Sequence, residues 1–378
     1  MRVAIITFFQ SQDNYGQLLQ CYALQKALRQ MGHKPYLIRY GFHEQYFHWL
    51  KKKNILTNKG RREVFRQFKK AITHLNDFSD RGFDLFRKRH LAKSLRCYNS
   101  LAELRRYPPK ADCYITGSDQ VWAQLLSVED NKSFYLDFGQ PDTRRISYAP
   151  SFATEDYPSE LKNRLAEQLS KLDAISVREQ SGVRICKEVG YEVSLVLDPS
   201  LLLTSEQYKV LAKRPTVSNY CFVYHVNITS KEELLWDTFR SYNNKHNLAS
   251  MAAFANPTDN LNMEFIDGAN YVYPTIEEWL GFIQGAEYVL TSSFHGLVFS
   301  ILFHKPFAVC LRKEELFAGN DRIISFLNLF DLKGRIVSEG LHDVDKLMSS
   351  PINWGKVDTI LNHERENSFS FLKNALKR

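Results

Sequence analysis

Short apolar runs alternate with amphipathic stretches along most of the chain. "RVAIITFF" (2–9) reads as a buried strand and "QSQDNYGQ" (10–17) as a loop. "LLQCYALQKALRQMG" (18–32) places Leu18, Leu19, Tyr22, Ala23, Leu24, Ala27 and Leu28 at helical spacing and stops at Gly32. "KPYLIRY" (34–40) is a second strand, and the order strand–loop–helix–strand opens a parallel α/β sheet. The pattern resumes with strands in "DCYITGSDQVW" (112–122), "RRISYAPSF" (144–152) and "SLVLDPSLLL" (194–203), and with a strand entering a helix in 172–190. Beyond a polar linker near 204–219, "YCFVYHVN" begins a second set: helix "IEEWLGFIQGA", strand "EYVLTS", helix "FHGLVFSILF", strand "KPFAVC", helix "RIISFLNLF" and a long helix over 355–376. The predicted fold is α/β, two Rossmann-like domains with parallel sheets facing a cleft. The domains span 1–203 and 220–354, and 355–378 packs back on the first. A ligand belongs at the carboxyl ends of the strands.

Residues 43–106 break the pattern. "KKK" (51–53), "KGRR" (59–62), "RQFKK" (66–70) and "RKRH" (87–90) interleave with aromatics such as Phe47, Trp49 and Phe65. This predicts a basic helical insertion: either amphipathic helices covering a core, or a surface meeting an anionic, lipid-linked or polymeric substrate.

Composition narrows the class. With 378 residues, 44% hydrophobic and 24% charged, the chain is an ordinary globular protein of two-domain size. Its net charge of +8 favours an anionic ligand or surface without choosing one. The six cysteines show no C-x-x-C spacing, which signals neither zinc site nor redox dithiol. Reduced thiols fit a cytoplasmic protein. The first apolar run is too short for a signal peptide, and no run approaches 18 residues. Phosphate-loop, dinucleotide, zincin and nucleophile-elbow motifs are absent, and no aromatic RNA-binding strand accompanies the charge, so nucleic acid is not indicated.

Five strand–helix junctions are unusually polar: "NYGQ" (14–17), "GSDQVW" (117–122), "SVRE" (176–179), "LDPS" (197–200) and "TSSFHG" (291–296). Ser292 or Ser293 can cap a helix, and the free N–H groups of a helix start can hold an anion. Capping does not call for His295 in the first turn. It is either a satisfied core histidine or an acid/base. Arg178 is either a surface ion pair or a bidentate anion clamp. Asp119 and Asp198 suit turns or caps; Asn14 and Gly16 suit a tight turn, or one that brings backbone N–H groups to a ligand.

Together, "NYGQLLQCYALQ", "ITGSDQVW", "ISVREQSG", "VLDPSLLL" and "YVLTSSFHGLVFSILFHKPF" resemble the polysaccharide pyruvyl transferase family over nearly the whole chain. The resemblance implies a fold like the two-domain GT-B glycosyltransferases. It also implies transfer of pyruvate from phosphoenolpyruvate to a sugar hydroxyl pair of a surface polysaccharide or its lipid-linked precursor, forming a ketal without metal or cofactor. His295 matches the family's motif histidine, the acid/base, and Arg178 an arginine linked to phosphoenolpyruvate. Ser292, Ser293, Asn14, Gly16 and Arg322 are the further donor-site candidates; Asp119, Gln120 and Asp198 are candidates for the acceptor side or its support. Family members often carry arginine two places before the histidine, where this chain has Ser293. Either Arg322 or Lys305 replaces it, or the donor differs. The expected location is cytoplasmic, with peripheral contact to the anionic inner membrane face. The alternative is a retasked GT-B-like glycosyl or other group transferase, or a non-catalytic sugar-binding partner in polysaccharide assembly.

Overall fold

A computed structural model describes residues 1–41, 81–123, 126–228, 230–255, 266–312, 320–338 and 343–377. The first half builds a five-stranded sheet from β1 (Arg2–Ile6), β2 (Lys34–Tyr40), β3 (Lys93–Tyr98), β4 (Cys113–Thr116) and β5 (Arg144–Ser147), in the order β3-β2-β1-β4-β5. A short pair, β6 (Ser176–Val177) and β7 (Ser194–Leu195), follows beyond a single bridge between Ile146 and Ala174. The second half builds a six-stranded sheet from β8 (Tyr220–Val226), β9 (Ala249–Ala255), β10 (Asn270–Tyr271), β11 (Tyr288–Thr291), β12 (Phe307–Cys310) and β13 (Ile336–Val337), ordered β10-β9-β8-β11-β12-β13.

The described pairings are parallel, so both faces of each sheet need cover and the inner strands read as unbroken apolar runs. Val3 to Ile6 on β1 and Tyr220 to Tyr224 on β8 are buried throughout. Each central strand is flanked by strands from opposite directions of the chain, β2 and β4 around β1, β9 and β11 around β8. At such reversals the loops after the strands part and leave a crevice at the carboxyl ends.

The helix Tyr15–Gln30 carries one half into the other. Asn14 caps it by accepting the Gln17 N–H at 3.2 Å. Tyr15 stacks on Trp279 at 5.1 Å and donates its hydroxyl to the Pro274 carbonyl at 2.8 Å. Leu18, Leu19, Leu24 and Phe83 of the first half share one continuous core with Trp279, Leu297 and Phe299 of the second.

Several boundaries differ from the sequence reading. The expected helical insertion over 43–106 is interrupted by β3, an edge strand paired in parallel with β2. It carries Lys93 and Arg96. On an edge strand such charges blunt pairing with other chains. Residues 43–80 of that insertion lie outside the described residues. The strands expected over 144–152 and 194–203 stop at Ser147 and Leu195, because the chain then turns: Ala149 and Ala153 have positive φ, and Asp198 caps the 3-10 turn Pro199–Leu201. The linker near 204–219 contains a short helix, Ser205–Lys209, closed by a Thr204–Gln207 capping box. Among the described residues no helix is long and apolar enough to cross a membrane.

The helix Trp354–Leu376 touches both halves. At its start, Trp354 stacks on His304 at 4.9 Å and Asp358 pairs with His304 at 2.8 Å. Further along, Arg365 donates to the Leu201 carbonyl at 2.8 Å, Ser368 accepts the buried Leu197 N–H at 3.0 Å, and the Ala375 carbonyl accepts from Arg144. Twenty-three residues of helix extend roughly 35 Å, enough for a strut between domains. Ser368→Ala would orphan the Leu197 N–H. An unmet buried donor costs about 1–3 kcal/mol, so urea unfolding should shift by that amount. An unchanged midpoint would mean that the loop 197–201 does not lean on this helix.

Candidate functional site

The polar junctions converge at the crevice, and Asp198 joins them. Its Oδ2 accepts from Arg178 Nη1 at 2.9 Å and from the Ser118 hydroxyl at 2.9 Å; its Oδ1 accepts the Ser200 N–H at 2.9 Å. His295 Nε2 stands 3.7 Å from the same Oδ1, within ion-pair reach but longer than a hydrogen bond. Burial works against this carboxylate. His295, Arg178 and the Ser200 N–H outweigh burial and hold its pKa well below the usual range.

Arg178 follows β6 and is buried. Besides Asp198, it faces Glu179 at 3.6 Å and Asp119 at 3.9 Å. Burial opposes its charge, but these three acids more than restore it and its pKa is raised. Glu179 is held by the Phe152 N–H at 2.9 Å; burial pushes its carboxyl up, against the pull of Arg178. Despite three acidic neighbours, Arg178 Nε and Nη2 have no hydrogen-bond partner among the described residues. Two donors of its planar fork are thus buried and unused.

A second cation lies beside it. Arg178 and Arg322 both sit over the ring of Phe294, at 5.3 Å and 5.8 Å from its centre. Burial, then Arg178 and Arg312, push the Arg322 guanidinium down to about 9 against the pull of Asp119 and Glu179, and among the described residues its Nε also lacks a hydrogen-bond partner. It remains charged at neutral pH. Like charges gathered in a low-dielectric crevice cost free energy unless an anion completes them. Arg312 is the residue that sequence reasoning missed. The signal was there, since Arg312 follows the buried strand β12 much as Arg178 follows β6.

The "TSSFHG" turn caps its helix as the sequence allows, with Ser293 as the cap. Its hydroxyls are occupied by the fold: Thr291 donates to the Tyr224 carbonyl at 2.6 Å, Ser292 to the Val226 carbonyl at 3.1 Å, and Ser293 caps the helix Phe294–Leu302 through the Gly296 N–H at 3.3 Å. Phe294 floors the two guanidiniums, because an aromatic face attracts cations. Gly296 is required by close packing, since a Cβ there would stand 2.3 Å from the Thr291 hydroxyl oxygen. Lys305 sits beyond the other end of that helix, bonded through its N–H to the Ser300 carbonyl with Glu287 and Arg214 as charged neighbours, and so does not join the cluster. Of the two candidates for the missing cation, Arg322 is the one the structure brings to Arg178.

Asp119 has φ +86 and turns the chain after β4. Its carboxylate accepts the Gln120 N–H at 2.8 Å and a long bond from Gln17 at 3.4 Å, which links this turn to "NYGQ". The Gln120 side chain makes no contact that draws it into the cluster. Gly16 lies directly against the His295 ring. Among the described residues no group of three acidic, histidine or cysteine side chains is placed to hold a metal ion.

The model of the family described as "Polysaccharide pyruvyl transferase" matches residues 14–314, which include every junction above. No curated protein matches the chain. Solved structures similar to it include the UDP-GlcNAc 2-epimerase from Methanocaldococcus jannaschii (11% identity, 97% of this chain and 94% of that chain, TM-score 0.52). They also include MnaA of S. aureus in a co-structure with UDP (11% identity, 97% and 91%, TM-score 0.47) and the glycotransferase of kitacinnamycin (11% identity, 100% and 99%, TM-score 0.47). The fold is therefore the two-domain α/β arrangement of GT-B glycosyltransferases and epimerases, and with four-fifths of its length matched the chain belongs to the polysaccharide pyruvyl transferase family.

Proposed function

We propose that the protein transfers the pyruvyl group of phosphoenolpyruvate to two hydroxyls of a saccharide, forming a cyclic ketal. One observation carries this reading: two guanidiniums with unused donors share one aromatic floor, one residue before a histidine. Phosphoenolpyruvate presents a carboxylate and a phosphate close together, and two arginine forks match two such anions. Arg322 stands in for the family arginine that Ser293 replaces.

His295 supplies the proton chemistry in this reading. Protonation at C3 of the donor leaves an oxocarbenium-like centre at C2, which an acceptor hydroxyl attacks. The C2–O bond to phosphate breaks, and a second hydroxyl closes the ketal. The two hydroxyl protons end on C3 and on the released phosphate, so no redox partner is needed. Arginine donors stabilise the charge that builds on the leaving phosphate. The positive charge of the chain favours a phosphate-bearing, lipid-linked acceptor at an anionic membrane face. The cysteines and the absence of a long apolar run are consistent with action in the cytoplasm.

Phosphoenolpyruvate should raise the melting temperature in a concentration-dependent way, as a ligand bound only by the folded state must. Stabilisation by a UDP-sugar, with none by phosphoenolpyruvate, would replace this reading with glycosyl transfer. Stabilisation by free saccharide alone would replace it with a binding partner. In His295→Ala, phosphate release with acceptor present should fall about 10²–10⁴-fold, the range for a lost general acid–base group. Wild-type turnover in that variant would remove His295 from the chemistry.

Arg322→Met keeps the aliphatic packing and deletes the charge. Donor affinity by calorimetry should weaken by about 1–3 kcal/mol, the range for a hydrogen bond to a charged group. The ligand-free variant should melt no lower than the parent, because a crowded like charge has gone. A variant that binds the donor normally would return Arg322 to a packing role.

A further inference from the structure

Gly16 is not a glycine for backbone reasons. It lies in the first turn of the helix Tyr15–Gln30, where its φ is not left-handed and alanine is the better helix former. What excludes a side chain is His295. An added Cβ would stand 2.1 Å from both Cγ and Nδ1 of the ring and 2.6 Å from its Cβ. The missing methyl is the space the imidazole occupies.

The first turn of this helix is itself fixed against the second half. Tyr15 is fully buried, stacked on Trp279 and hydrogen-bonded to the Pro274 carbonyl. Gly16 cannot retreat without dragging that ring with it. On the other side, Asp198 Oδ1 faces Nε2 at 3.7 Å and is tied to the Ser200 N–H. The ring belongs to the second half and meets Phe294 there edge-on at 5.4 Å, whereas Gly16 and Asp198 come from the first.

We infer that Gly16 is a positioning residue: its bare backbone and Asp198 form a slot, contributed by one domain, that sets the imidazole of the other at the angle its proton transfer requires. This rests on the reading of His295 as acid/base. The slot exists only where the two halves meet, so the acid/base is oriented by their closure. Gly16 touches none of the groups assigned to the donor's anions, and its effect should fall on turnover rather than binding.

The test is a two-by-two set of the full chain: wild type, Gly16→Ala, His295→Gly and the double variant. Gly16→Ala should lower kcat about 10²-fold, as a displacement of roughly 1 Å can, with KM for phosphoenolpyruvate unchanged. It should also lower Tm. In the His295→Gly background, where the ring and its Cβ are both gone, Gly16→Ala should change neither, a non-additivity that marks direct coupling. An equal Tm loss in both backgrounds would overturn the slot. A rise in KM with kcat intact would overturn the positioning role and make Gly16 a donor contact. If wild type releases no phosphate from phosphoenolpyruvate, the pyruvyl-transfer reading fails, and the Tm cycle alone then decides whether Gly16 houses the ring.

Discussion

A single buried carboxylate holds the crevice together. Asp198 is bonded to Ser118 after β4, to Arg178 after β6 and to the turn at Ser200, and it faces His295 across the junction of the halves. A lone ionised carboxylate in such a place would be prohibitively costly, and so would a lone guanidinium. Together, with the Ser118 hydroxyl and the Ser200 N–H also donating to the carboxylate, they tolerate burial. Neither partner can shift without stranding the other, and this mutual dependence fixes the angle at which Arg178 presents its two unused donors.

The balance of charge around this pair is uneven. On the side of the first half, three acids attend one arginine. On the side of the second, Arg322 shares the face of Phe294 with Arg178 and is repelled by both Arg178 and Arg312. Asp119 and Glu179 nevertheless act on both guanidiniums, across the seam between the halves.

Much of the fold was legible because fully buried parallel strands leave an unmistakable mark. Val3–Ile6 and Val289–Thr291 could hardly be anything else. The edges were not legible. β3 hid inside a basic cluster because its exposed residues carry the same charges as a solvated helix, and β9, "ASMAAFA", is built from small residues that do not distinguish strand from helix. At the site, residue types and their junctions could be read, but not their directions. The hydroxyls of Ser292 and Ser293, donor-site candidates in the sequence, bond backbone groups, because a tight strand–helix turn must satisfy the carbonyls and N–H groups around it. Phe294 is the floor beneath two cations, a relation that only three-dimensional proximity of residues 178 and 322 could reveal.

The strut Trp354–Leu376 also imposes an order in time. During synthesis, every side chain of the crevice has left the ribosome once residue 322 has emerged. The loop that carries Asp198 is then still without Arg365 and Ser368, which later hold its Leu201 carbonyl and Leu197 N–H. A nascent chain of that length holds all the chemistry and none of the bracing. The first half waits, with its buried carboxylate, for a helix from the far end of the described chain, and the long-range contacts that finish it are among the last to form.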